Sequence, residues 1–155
     1  MSSPSTGRVE HAYREQGGKL WRALVLYSGD RDVASEAVAE AFAQALDGET
    51  RIVSVERWVW RTAFLLARRR LSDRRTTDNR IPEQPYRDSE VSLELKMALL
   101  RLSPSQRAAV VLFYFADLPT TEVARRMGTS RAAVGVHLHR ARKRMRALLE
   151  EEDGG

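Results

Sequence analysis

The stretch Leu118–Arg144, LPTTEVARRMGTSRAAVGVHLHRARKR, decides the fold, together with the helix Pro104–Ala116 that leads into it. Pro119 suits the first turn of a short helix, with Asp117 as its candidate cap and Val123, Ala124 and Met127 facing inward. Gly128 can supply the left-handed or close-approach backbone of a tight turn between helices. Ser130 then caps a second helix, whose apolar stripe is Val134, Leu138, Ala141, Met145 and Leu148. Small Ala124, Gly128 at the turn and β-branched Val134 together give a helix-turn-helix signature. The remaining faces of the second helix carry Arg131, His137, His139, Arg140, Arg142, Lys143, Arg144 and Arg146. Such a helix suits a groove between two rows of phosphates. An ordinary helical hairpin with a solvated basic face is the competing reading. The absence of any acid between Arg131 and Arg146 favours a DNA-reading unit.

Working outward, the chain of 155 residues has room for one domain or two small ones. Its 26 Lys and Arg against 21 Asp and Glu give a net charge of only +5, so the placement of charge matters more than its sum. Bases concentrate in Arg68–Arg80 and Arg125–Arg146; acids collect in Asp30–Glu40, Glu83–Glu94 and the Glu150–Asp153 tail. Nearly all the bases are Arg, which pairs bidentately with phosphate or guanine, so nucleic acid is the natural partner. The chain has no Cys, which removes disulfides, thiolate catalysis and Cys-based metal sites. No apolar run approaches a membrane span and the N-terminus lacks a signal-peptide core, so a cytoplasmic protein without membrane insertion is expected.

Met1–Gly7 is small and polar, with the composition of a disordered end. A helical pattern runs from about Arg8 to Tyr27, with Tyr13, Leu20, Leu24 and Tyr27 on one side and Gly17-Gly18 weakening its middle. Ser28-Gly29-Asp30 stops it and caps a second helix, Arg31–Leu46, which buries Ala34, Val38, Ala41, Phe42 and Ala45. The other face of that helix shows Asp32, Ser35, Glu36 and Glu40. After a loop at Asp47–Arg51, Ser54 caps a third helix reaching about Ser72.

Apolar residues surround most of that third helix: Trp58, Val59, Trp60, Ala63, Phe64, Leu65, Leu66 and Ala67. One core face cannot account for all of them. Either the helix lies centrally in a bundle, or part of its surface meets a partner. Aromatic rings beside the Arg68-Arg69-Arg70 run suit unstacked bases. Thr76–Ser89, TTDNRIPEQPYRDS, has two prolines, no helical period and mixed charge, and reads as an interdomain linker. The second unit begins near Glu90 with Val91, Leu95, Ala98 and Leu102 on one stripe; Ser103-Pro104 then starts the next helix. No β-type alternation appears, so the expected fold is all-α, with two small helical domains at 8–75 and 90–151 and a flexible linker at 76–89.

The order of these features resembles a bacterial sigma factor of the sigma-70 family, in the extracytoplasmic-function subgroup. Leu102–Leu149, LSPSQRAAVVLFYFADLPTTEVARRMGTSRAAVGVHLHRARKRMRALL, is similar to the promoter-binding region four almost end to end. Tyr27-Ser28-Gly29-Asp30-Arg31-Asp32 followed by Glu36–Phe42 resembles the helix with which region two grips polymerase. Arg57-Trp58-Val59-Trp60-Arg61-Thr62-Ala63, ending in an Arg run, resembles the helix that opens promoter DNA.

The resemblance implies a dissociable polymerase subunit that selects promoters and begins DNA opening, with core RNA polymerase, promoter DNA and an anti-sigma factor as partners. Region two would bind core polymerase through Asp32, Glu36, Val38, Ala39, Glu40 and Phe42. It would meet the minus-ten element through Trp58, Trp60, Arg61, Leu65, Arg68 and Arg69. Region four would meet the minus-thirty-five element through Ser130, Arg131, Ala132, Ala133, Gly135, His137, Arg140 and Lys143. Arg131, at the start of the recognition helix, suits a guanine edge, whereas Arg140, Arg142 and Lys143 suit phosphates. Two departures stand out. Gly135 and His137 occupy positions where the family often has Lys and Arg, and Leu65 and Arg69 fall where the melting helix often has Asn and Asp.

A helix-turn-helix regulator that never joins polymerase explains Leu118–Arg144 but leaves the aromatic–Arg helix and the linker idle. A sigma-like decoy that binds only an anti-sigma factor is a further alternative. An enzyme is not expected, and no cofactor or metal is implied. There is no phosphate-cradling glycine loop and no zinc spacing, and His137 and His139 stand two apart on a helix, where they do not face one another.

Overall fold

In the computed structural model the described residues are 4–48, 51–77 and 91–153. Three helices make the N-terminal half: α1 (Pro4–Ser28), α2 (Arg31–Gly48) and α3 (Val55–Thr77). The C-terminal half holds α4 (Leu93–Leu100), α5 (Pro104–Val110), α6 (Thr120–Met127) and α7 (Arg131–Asp153), with one π-helical turn, Val111–Phe115, prolonging α5. No strand occurs among the described residues. The all-α reading holds. Boundaries differ: α1 begins at Pro4, α3 runs on to Thr77, and α7 carries the acidic tail as helix to Asp153. Most of the segment read as a linker, 78–89, lies outside the described residues, while Thr76 and Thr77 belong to α3.

Short polar side chains set the helix starts, by accepting N–H groups that have no partner within the helix. Asp30 Oδ1 accepts from the amides of Asp32 at 2.8 Å and Val33 at 3.1 Å, starting α2. Ser103 and Gln106 form a reciprocal capping box at α5, with Pro104 in the first turn. Ser130 Oγ accepts from the Ala133 amide at 3.1 Å, starting α7 as its sequence position predicts. Asp117 does not cap α6. It adopts a left-handed φ of 55° in the turn, and Pro119 fills the cap position without any side-chain hydrogen bond. The π turn displaces the chain here: the Ala116 amide reaches back to Val111 O, and the Leu118 amide to Leu112 O.

The two halves do not form separate cores. A single cluster of buried side chains runs from Val9 in α1 to Ala141 in α7. Leu20, Leu24, Val33, Ala37, Val59 and Ala63 fill the three-helix bundle; Leu99, Val111, Leu112, Val123, Val134 and Leu138 fill the second half. α3 packs against α1 and α2 on one side and against α6 on the other, which explains its apolar circumference. Leu100 of α4 sits against Gly29, whose φ is +70° and where a Cβ would approach Leu100 Cδ2 to 3.0 Å.

The turn between α6 and α7 uses Gly128 at φ +69°, and a Cβ added there would meet Arg61 Nε at 2.6 Å. The left-handed backbone favours glycine, while the Arg61 guanidinium, at the end of a flexible side chain, could move aside for a Cβ. Gly128→Ala is expected to destabilise the chain by about 1–2 kcal/mol from the left-handed backbone alone, read as a lower urea midpoint at unchanged m-value.

Candidate nucleic-acid interface

α7 is amphipathic in the sense a groove-reading helix requires. Val134, Leu138, Ala141 and Leu148 are buried on the side of α7 that packs on α4, α5 and α6, fixing the helix along one side. On the opposite side Arg131, Ala132, Gly135, His139, Arg140 and Lys143 are exposed, next to the exposed cap Ser130. The sequence-predicted residues thus fall on one accessible face, apart from Ala133 and His137, which are half-buried. Val136 was not anticipated. It is 46% exposed, one helical turn from both Ala132 and Arg140, and offers a methyl surface of the kind that meets thymine. Its i±4 spacing to those two residues was the available signal.

Arg142, expected at a phosphate, is exposed and also has partners within the chain. Its Nε donates to Tyr114 Oη at 2.6 Å, and its guanidinium lies over the Phe113 and Tyr114 rings. Those two rings pack edge-to-face at 4.9 Å, and the exposed guanidinium rests on them. Gly135 has no heavy atom within 4 Å of where a Cβ would lie, so the position is open to any side chain.

The aromatic and basic residues of α3 divide between core and surface. Trp60 is 1% exposed, stacks on Phe64 and donates through Nε1 to Gln16 Oε1 at 3.3 Å. It is a core residue here rather than a platform for bases, because α6 covers the side of α3 that the bundle leaves open. Trp58 is half-buried against the same core. Arg61, Leu65, Arg68 and Arg69 are exposed.

A charged contact joins α3 to α6. Arg126, 5% exposed, donates to Glu56 at 2.7 Å and to Glu122 at 3.4 Å, and its guanidinium lies 4.7 Å from the Trp60 ring centroid. Arg57 holds Glu122 with two bonds of 2.8 and 3.2 Å. The hydrogen bond from Arg57 is the main reason the Glu122 carboxyl lies below the usual carboxylate range, with burial opposing it and the charges of Arg57 and Arg126 assisting. The same bond, helped by the charge of Glu122, raises the Arg57 guanidinium, which stays protonated throughout.

On α2, Asp32, Glu36 and Ala39 are exposed, but Val38 and Phe42 are buried. The expected apolar strip beside the acids is therefore part of the bundle, with Phe42 edge-on to Tyr13 at 5.1 Å. Glu36 and Glu40 are engaged by one side chain, Arg70 of α3, at 2.7 and 2.8 Å. Arg107 carried no sequence signal. Buried between the halves, it donates to the carbonyls of Tyr27 at 2.7 Å, Leu99 at 3.0 Å and Leu102 at 3.1 Å. No group of His, Asp and Glu among the described residues is arranged to hold a metal, and no described helix is long and apolar enough to cross a membrane.

With this geometry in place, comparison with known proteins is informative. The sigma-70 region 4 family profile matches residues 92–145. Over 135 residues the chain is 31% identical to an RNA polymerase sigma-E factor from Streptomyces avermitilis, covering 86% of this chain and 70% of that protein. It is 28% identical over 155 residues to the ECF RNA polymerase sigma factor SigL from Mycobacterium tuberculosis, covering 90% of this chain and 87% of that one. Against the ECF RNA polymerase sigma factor SigE of Mycolicibacterium smegmatis, also 28% identical, the match covers 88% of this chain but only 59% of the relative's length. In fold the chain is similar to the sigma factor RpoE solved with the anti-sigma factor NepR from Bartonella quintana, with TM-score 0.71 at 20% identity over 91% of this chain and 96% of that one. The likeness to CnrH, solved with the cytosolic domain of CnrY, has the same TM-score and identity over 92% and 88%.

Two outcomes follow. Because the Glu122 carboxyl is depressed, the stability it contributes is present above the unfolded carboxylate range, near pH 4.3, and is lost as pH falls through its lower folded value. Glu122→Gln should therefore lower stability at pH 7 by about 1–3 kcal/mol, the range for leaving a buried donor one partner short. Its melting temperature should converge with wild type on acidification towards pH 3. In α7, Gly135→Ala should raise stability by about 1 kcal/mol through helix propensity, checked by denaturant titration.

Proposed function

The chain belongs to the extracytoplasmic-function subgroup of the sigma-70 family of RNA polymerase sigma factors, and from that premise we propose that it is a dissociable subunit that directs core polymerase to specific promoters. The observation that carries this reading is α7 itself: an acid-free basic face, exposed from Arg131 to Lys143, on a helix held from behind by Val134, Leu138 and Ala141. Residues 90–151 are region four, placing α7 in the major groove of the minus-thirty-five element, and 8–75 are region two. Ser130, Arg131, Ala132 and Val136 meet base edges, and Arg140 and Lys143 hold phosphates. Asp32, Glu36 and Ala39 on the outer face of α2 meet core polymerase. Arg61, Leu65, Arg68 and Arg69 meet the minus-ten strand. An anti-sigma factor is a partner in this reading, and the protein acts in the cytoplasm, where polymerase and DNA are.

Trp60 and the Arg126 contact lie between α3 and α6. Region two and region four therefore have to part before α3 can lie along melted DNA. Binding to polymerase supplies the free energy for that separation, because it uses surfaces on both halves.

Affinity capture with core polymerase, followed by transcription from a mapped promoter, tests the assignment. Tight binding of the isolated chain to duplex DNA with no affinity for core enzyme would replace it with a polymerase-independent regulator. Within the complex, Arg140→Ala should weaken binding across promoter sequences and reduce the salt slope by about one phosphate contact. Arg131→Ala should instead change base preference at one position, read by selection from randomised promoters; recovery of the wild-type motif would remove Arg131 from the readout.

A further inference from the structure

Between α3, the start of α5 and the α6–α7 turn lies a recess of about 140 Å³. Arg61, Arg68, Arg126, His137, Ser105 and Thr129 are among the residues that line it, and no carboxylate is among its described lining residues. Arg126 is matched by Glu56 and Glu122. Arg61, Arg68 and His137 make no hydrogen bond or ion pair among the described residues. Arg61, though exposed, has its guanidinium against Gly128 of the opposite half. Like charges brought together repel, and an anion between them relieves that repulsion. Here that repulsion has no counter-charge within the lining.

We propose that this recess binds a small phosphate-bearing anion that bridges the two halves of the chain. Guanidinium forks match phosphate oxygens bidentately, and the two hydroxyls supply further donors. Size selects the ligand class. A recess of about 140 Å³ takes one small anion with its hydrogen-bonding neighbours. That admits inorganic phosphate, pyrophosphate or the phosphate end of a nucleotide, whereas a duplex cannot enter between α3 and α7. Arg61 and Arg68 come from the N-terminal half and His137 and Thr129 from the C-terminal half, so the bound anion holds the halves together. Insofar as Arg61, Arg68 and His137 also contact promoter DNA, which rests on the proposed function, the anion competes with promoter engagement. The binding itself does not depend on that reading.

The test is a thermal and calorimetric titration of the full chain with sodium pyrophosphate, with ionic strength held constant by sodium chloride. A saturable rise in melting temperature with one site per chain is expected. In Arg61→Ser/Arg68→Ser the Kd should weaken at least ten-fold. Leu65→Glu, which places a carboxylate one turn from both arginines, should abolish the response in a folded protein. Arg146→Ser, which does not line the recess, should respond as wild type. A non-saturable response, or an equal response in the double variant, reduces the effect to general ion screening and overturns the site. So does binding of a single-stranded oligonucleotide through these arginines when pyrophosphate does not bind. If pyrophosphate binds as stated while the chain ignores core polymerase, the site stands and the proposed function falls.

Discussion

The arrangement of the whole chain turns on how the buried Arg126 guanidinium is satisfied. An ionised group taken out of water is tolerated only when it is paired and hydrogen-bonded. Arg126 meets that demand with two carboxylates on different helices and the face of Trp60. Glu56 and Trp60 belong to α3, so the demand cannot be met inside the C-terminal half alone. α6 has to lie against α3, and the position of the whole helix-turn-helix follows.

This constraint also accounts for α3. Flanked by α1 and α2 on one side and by α6 on the other, it has apolar residues round much of its middle, and Arg61, Leu65, Arg68 and Arg69 are among those that reach solvent. Residues suited to touching DNA are thus gathered at the seam between the halves, where each half limits what the other can reach. Across the molecule, α7 keeps its basic face clear of the seam. The two proposed DNA contacts are consequently unequal in this arrangement: one is open, and the other is partly covered.

The elements were legible wherever a local rule set them. Asp30, Ser103 and Ser130 cap as their positions suggest, Gly128 is left-handed, and the stripe Val134–Leu138–Ala141 is buried. The exposed face of α7 follows from the same periodicity. What was not legible depends on contacts between residues far apart in the chain. A tryptophan beside arginines reads the same whether it faces a base or a guanidinium of the same chain, and Trp60 proved to be the second case. Val38 and Phe42 satisfy both an interface pattern and a core pattern, and burial chose the core. The contacts of Arg142 with Tyr114 Oη and of the buried Arg107 with the Tyr27 carbonyl had no local signal, because their acceptors are 28 and 80 positions away. The left-handed Asp117 followed from the π turn, which no residue pattern announced.

The bond from Arg107 to the Tyr27 carbonyl has a bearing on how the protein can be dissected. The last carbonyls of a helix need partners from outside it, and α1 takes one of them from a residue in the other half. Gly29, just beyond that end, is covered by Leu100. Cutting the chain between its halves therefore leaves the Tyr27 carbonyl without this donor on the first fragment and Arg107 one acceptor short on the second. Neither fragment is an inert module, and stabilities measured on the pieces would not sum to that of the intact molecule.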